Sequence, residues 1–148
     1  MNDNVNTPRN QINILLVEDN PADVLLTTEA LKECSTPFTM TAVNNGEEAS
    51  DYLNCRGRYP DAVRPDIILL DINLPKKNGF ELLSEIKENP GLKRIPVIIL
   101  TTSSAKQDVL SAYELYANSY IIKPIDFDDF LRVIRSLENF WFDTATIP

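Results

Sequence analysis

The chain contains no histidine. That removes Ser-His-Asp and Cys-His nucleophilic sites, histidine-ligated zinc and any phosphohistidine of its own. Cysteine is nearly absent: Cys34 and Cys55 are the only two, too few for a thiolate metal cluster or a disulfide framework. They read as free thiols at helix ends. Positive charge is scarce, with 14 lysines and arginines against 22 aspartates and glutamates and a net charge of −8. A nucleic-acid or anionic-membrane binder would carry a basic patch instead. No apolar run approaches the roughly 18 residues of a membrane span. Residues 1–11 lack the apolar centre of a signal peptide. The expectation is a cytoplasmic protein with a flexible leader at 1–11, one folded domain at 12–142 and a tail at 143–148. Its chemistry must use carboxylates, hydroxyls and lysine.

What is present centres on one stretch, Asp66-Ile67-Ile68-Leu69-Leu70-Asp71-Ile72-Asn73-Leu74-Pro75. Ile67 to Leu70 is apolar without alternation. That marks a strand buried on both faces, as in a parallel sheet covered by helices. A charge is costly in a core, so Asp71 belongs where the strand emerges. In open α/β sheets ligands bind at that end. Pro75 and Gly79 then turn the chain into a loop. The bland alternative is a carboxylate that only caps the next turn.

The rest of the chain falls in around this strand. Residues 12–17 read as a first strand that stops on Glu18 and Asp19. Asn20-Pro21-Ala22-Asp23 starts a helix: Asn20 caps it, Pro21 fits its first position and Asp23 favours its positive end. Ala22, Leu26, Ala30 and Leu31 are expected on its inner face. Residues 38–43 alternate as an outer strand, and a turn at 44–46 leads to a short helix ending at Leu53. The connection 54–65 is polar, carries Arg56, Arg58 and Arg64, and is long for such a fold. It reads either as a partner surface or as a tolerated insertion. A helix at 79–89 precedes a strand at 96–100 that stops on Thr101. Val109, Ala112, Tyr113 and Tyr116 mark a helical stripe. A strand at 120–122 stops on Lys123. The last helix is expected to turn Phe127, Phe130, Leu131, Ile134 and Leu137 inward. Strands and helices thus alternate five times, the pattern of a doubly wound α/β sheet. Right-handed crossovers put all C-terminal strand ends on one edge.

Four strands therefore deliver Glu18, Asp19, Asp71, Thr101 and Lys123 to the same edge. Crowded carboxylates repel, and one protonates unless a cation intervenes. Lys123 offers one positive charge, and Mg²⁺ suits one or two carboxylates plus water and a phosphoryl group. Thr101 can donate to an oxyanion. Together these are the parts for phosphoryl transfer onto aspartate. Asp71, on the most apolar and central strand, is the nucleophile. Glu18 and Asp19 are metal ligands, joined by the backbone carbonyl of Asn73.

At these residues the chain resembles the receiver domain of two-component response regulators. The resemblance rests on Val17-Glu18-Asp19-Asn20, Leu69-Leu70-Asp71-Ile72-Asn73-Leu74-Pro75, Leu100-Thr101-Thr102 and Ile122-Lys123-Pro124, in the family's order, and covers about residues 12–140. It implies a flavodoxin-like five-stranded parallel sheet of order 2-1-3-4-5. It implies Asp71 as phosphoacceptor, Mg²⁺ at Glu18, Asp19, Asp71 and the Asn73 carbonyl, and Thr101 and Lys123 on the phosphoryl group. It makes Thr101 and Tyr120 a switch pair. The partner would be a sensor histidine kinase. Such a domain catalyses its own phosphoryl transfer and dephosphorylation and is not a metabolic enzyme. More narrowly, the 54–65 connection, Leu74-Pro75-Lys76-Lys77-Asn78-Gly79, Leu92-Lys93-Arg94-Ile95-Pro96 and Phe140-Trp141 look like the stand-alone regulators of cyanobacterial phytochrome kinases. Thr102, where alanine is frequent, and Ser119, where glycine is frequent, depart from the family pattern.

Two other readings use a similar strand end. A haloacid-dehalogenase phosphatase needs a second aspartate where Asn73 stands. A flavodoxin needs a phosphate cradle after the first strand, where Glu18 and Asp19 would repel the ligand. Beyond the core set, Val133, Phe140, Trp141 and Phe142 remain as further apolar side chains. They either fold back over the sheet or form an interface. The second reading predicts a homodimer across the fourth helix, fifth strand and fifth helix, with no nucleic acid or membrane as partner.

Overall fold

The computed structural model of the chain describes residues 11–33, 37–123 and 127–137. Ten elements alternate along them: β1 (Ile12–Val17), α1 (Pro21–Leu31), β2 (Phe38–Val43), α2 (Gly46–Leu53), β3 (Ile67–Leu70), α3 (Gly79–Glu88), β4 (Val97–Thr101), α4 (Lys106–Glu114), β5 (Ser119–Ile122) and α5 (Phe127–Leu137). The strands pair in parallel in the order β2-β1-β3-β4-β5, the order expected of a flavodoxin-like receiver fold.

The unbroken apolar runs follow from helices on both faces. Successive residues of a strand point to opposite sides. Leu15, Val17, Ile68, Leu70, Val97 and Ile99 enter a core with Leu82, Leu83 and Ile86 of α3. Ile14, Leu16, Ile67, Leu69, Ile98 and Leu100 enter a second core with Ala30 and Leu31 of α1. Polar residues at either parity would be buried, so β3 and β4 have none before their ends. β2 is an edge strand with only Val43 fully buried; Thr39 and Ala42, on opposite faces, are both exposed, so the expected alternation is not kept along it.

Local signals fix the helix starts. Asn20 has extended backbone, and its side chain accepts from the amides of Ala22 and Asp23. Asn78 and Glu81 close a reciprocal capping box on α3. Gly79 is required by packing: a Cβ there would stand 2.4 Å from the Ile72 Cα and 2.8 Å from the Asp71 carbonyl oxygen. The helix thus lies directly against the loop that follows β3.

Three expectations of facing are corrected. In α1, Ala22 is exposed, and Thr27 is buried with Ala30 and Leu31. The first turn instead carries Asp23 to Lys123, and apolar packing begins at Val24. In α4 only Ala112 is buried; Tyr113 is exposed. Tyr116 lies beyond the helix with φ of 69° and is more exposed still. α4 covers the outer strand β5, and the tyrosines overhang that edge. Phe127 is exposed at the start of α5, whereas Leu131 packs on the second core. The side chains of Phe130, Val133, Ile134 and Leu137 lie outside the described residues, as do Cys34, Phe140, Trp141, Phe142, the tail and the leader up to residue 10. Cys55 is a free, exposed thiol just past α2.

Candidate functional site

The backbone ladder continues one residue past the strands and sets the site's frame. The Glu18 amide donates to Val43, the Asp71 amide to Val17 and the Lys123 amide to Thr101. These residues are therefore held at the C-terminal edge by the sheet itself. Glu18, Asp71, Thr101 and Lys123 are all buried. Each carries a polar group at the point where its strand runs out of apolar cover.

Lys123 is the hub. Its Nζ donates to Glu18 Oε1, to Asp23 Oδ2 at 2.9 Å and to Asp71 Oδ2 at 3.3 Å. Three carboxylates thus share one ammonium. Burial pushes Glu18 up to about 7, further than Lys123 pulls it down. Burial alone would lower Lys123, but its bonds to Glu18 and Asp23, with the charge of Asp71, outweigh that and hold it above its usual value. The cluster is short of positive charge.

The other oxygen of Asp71 is oriented by hydroxyl and backbone. Asp71 Oδ1 accepts from Thr101 Oγ1 at 2.9 Å and from the Asn73 amide at 2.9 Å. Beyond Thr101, the Ser103 amide approaches Thr101 Oγ1 at 3.5 Å, while the Ser103 carbonyl accepts from the Tyr120 hydroxyl at 2.8 Å. The Tyr120 amide donates to the Tyr113 hydroxyl at 3.0 Å. Thr101 and Tyr120 are therefore linked through Ser103, which sequence reasoning passed over. A serine in a loop carries no signal until its neighbours are placed.

The acidic edge fits a hard dication by its donor chemistry: buried Glu18 and Asp71, exposed Asp19 beside them, and too little compensating charge. Among the described residues no three acidic side chains are already gathered as a metal cage. Lys123 stands among the carboxylates instead. Asp19 is exposed and has no hydrogen-bond or ion-pair partner among the described residues. Asn73 is also exposed, with its amide on Asp71. Asp23 was expected only to favour a helix end; its bond to Lys123 was missed, because the two lie 100 residues apart in the chain.

Away from the edge, the 54–65 connection is mostly exposed and rests on the core through Tyr59. Tyr52 and Tyr59 meet edge to face with centroids 5.3 Å apart, and Arg58 lies over the Tyr59 ring. A cavity of about 310 Å³ lies between this connection and the end of α3, lined by Leu53, Cys55, Val63 and Leu92 among others. It is separate from the acidic edge.

Comparison with known proteins agrees with the fold. Residues 14–135 match the response regulator receiver domain family. The chain is 44% identical over 148 residues to the response regulator Rcp1 of Synechocystis sp., covering 100% of this chain and 99% of the relative. The structure of the Mn²⁺-bound form of Rcp1 superposes with a TM-score of 0.87 over 93% of this chain and 99% of that one. The structure of the phosphorylated cyanobacterial phytochrome response regulator RcpA, 46% identical, superposes with a TM-score of 0.89 over the same shares.

Proposed function

Since this chain belongs to the response regulator receiver domain family, we propose that it is a phosphorylation switch whose acceptor is Asp71. The carrying observation is the dressing of that one carboxylate: Thr101 and the Asn73 amide on one oxygen, Lys123 on the other. The donor is a sensor histidine kinase, of phytochrome type by the likeness to RcpA. An oxygen of Asp71 forms the bond to phosphorus as the donor's bond to phosphorus breaks, and the electron pair leaves with the donor. Thr101 and Lys123 can then turn their donors to the new phosphoryl oxygens.

Glu18, Asp19, Asp71 and the Asn73 carbonyl are the residues that would hold Mg²⁺; a relative's structure carries Mn²⁺. When bound, the ion supplies charge neutralisation for the transferring group. The protein's own residues orient the acceptor and shield it from water. The folded receiver unit is taken as 12–142. It acts in the cytoplasm beside its kinase, and it signals through protein contacts, including a homodimer across α4, β5 and α5. Among the described residues no helix is long and apolar enough to cross a membrane.

Incubation with Mg²⁺ and acetyl phosphate should add one acid-stable, base-labile phosphoryl group, read by intact mass. Asp71→Asn should lose it. Undiminished labelling of that variant would end the assignment of Asp71.

A further inference from the structure

Asp23 belongs to the lysine cluster but to none of the roles above. Its carboxylate lies closer to Lys123 than Asp71 does, 2.9 Å against 3.3 Å. Hydrogen bonds hold its backbone. Asp23 sits in the first turn of α1, its amide is held by the Asn20 cap at 3.3 Å, and its carbonyl accepts from the buried Thr27 hydroxyl at 2.8 Å. The side chain is 28% exposed, so it stands at the rim of the cluster rather than in its floor.

We propose that Asp23 is a positioning residue: it anchors Lys123 beside Asp71 when Glu18 turns to a divalent cation. This rests on Asp71 being the acceptor. An ammonium has three N–H donors, and each has a carboxylate here: Glu18, Asp23 and Asp71. Glu18 and Asp71 belong to the donor set for the dication. Lys123 must then release Glu18, which frees one N–H for a phosphoryl oxygen. Asp23 is outside that set and keeps its bond. Without it, the flexible four-carbon stem of Lys123 is held at its tip by Asp71 alone. A charge that must be in place before the group arrives is then free to swing, and the rate falls.

The test separates anchoring from metal binding. Asp23→Asn should lose much less Mg²⁺ affinity in calorimetric titration than Asp19→Ala, which removes a ligand. At saturating Mg²⁺ and acetyl phosphate, Asp23→Asn should lower the maximal phosphorylation rate about tenfold, the loss of one charge-assisted hydrogen bond. Asp23→Glu should recover part of that rate. In the cation-free protein, the Lys123 ¹⁵Nζ resonance should shift in Asp23→Asn without any phosphodonor present. If Asp23→Asn does not fold, Asp23→Ser, which also suits a helix N-terminus, carries the same expectations. An unchanged rate, an unmoved Lys123 resonance, or Mg²⁺ binding weakened as in Asp19→Ala each overturns the proposal. If the unaltered protein is labelled at Asp71 while Asp23→Asn is labelled equally fast, only the anchor is lost. If Asp71→Asn is labelled like the unaltered protein, the acceptor reading fails and takes the anchor with it.

Discussion

Thr101 carries two connections that pull in different directions. Its hydroxyl donates to Asp71, and the same oxygen is approached by the Ser103 amide, whose carbonyl in turn holds Tyr120. A phosphoryl group adds roughly −1.5 to −2 charge at Asp71. On the proposed reading, that charge would draw the Thr101 hydroxyl to a new acceptor and move the Ser103 loop with it. Thr101→Ala should therefore still accept phosphate on Asp71 but transmit it poorly. Amide spectra of β5 and α4, recorded before and after phosphorylation, check this; changes matching the unaltered protein would remove Thr101 as the relay. Thr101 was legible from sequence because it ends an apolar strand. So were Glu18, Asp71 and Lys123. Ser103 and Asp23 were not, since each acts through a partner that only the folded chain brings near. The side-chain link from Asp23 to Lys123 spans β1's edge to β5's edge of the site, and no periodicity encodes it.

Among elements, α3 is tied to its surroundings by charge as well as by its apolar face. Glu85 accepts from Ser50 of α2 and pairs with Lys77 of the loop after β3, and Arg56 of the long connection donates to Ser50 Oγ at 3.1 Å. Burial would raise Glu85, but Lys77, Ser50 and Arg56 outweigh it and hold the carboxyl below its usual 4.5. A folded pKa below the unfolded one means that the unfolded chain binds more protons in the window between them. The contribution of Glu85 is therefore complete above pH 4.5 and is lost as pH falls through the lowered value. Glu85→Gln should cost about 1 kcal/mol in urea unfolding at neutral pH. The difference from the unaltered protein should shrink as the pH falls below 4.5. A constant difference across that range would show that packing, not charge, joins these elements. The elements themselves were readable because caps and breakers flank them, as at Asn20, Pro21 and Pro75. Their facing was less so. Apolar spacing in α4 says that Tyr113 and Tyr116 share a stripe, but not that the sheet ends beneath them.

For the whole molecule, that overhang is what makes a surface. Leu110 and Tyr113 of α4, Tyr116 after it, Ile122 of β5 and Phe127 at the start of α5 are all exposed, Leu110 at 52% and Tyr116 at 76%. Leu110, Tyr113 and Ile122 lie on the packed pair α4 and β5 at the end of the sheet, and a contiguous exposed apolar patch is what an interface uses. Tyr120 stands between this surface and the acidic edge: its hydroxyl is on Ser103, and its amide is on the Tyr113 hydroxyl. A change at Asp71 that moves Ser103 therefore reaches Tyr113 through one residue. The expected consequence is a homodimer across α4, β5 and α5 that strengthens on phosphorylation. A few aromatic and aliphatic anchors dominate such interfaces, each costing more than about 1 kcal/mol when removed. Leu110→Glu with Tyr116→Glu places charge on the surface without touching the Tyr113–Tyr120 bond, and should reduce the dimer fraction in sedimentation at least tenfold in association constant. The variant should still take up phosphate at the normal rate, because Asp71 and its donors lie elsewhere. Equal dimer fractions for both proteins at matched concentration, with and without phosphate, would show that copies of this chain do not meet there.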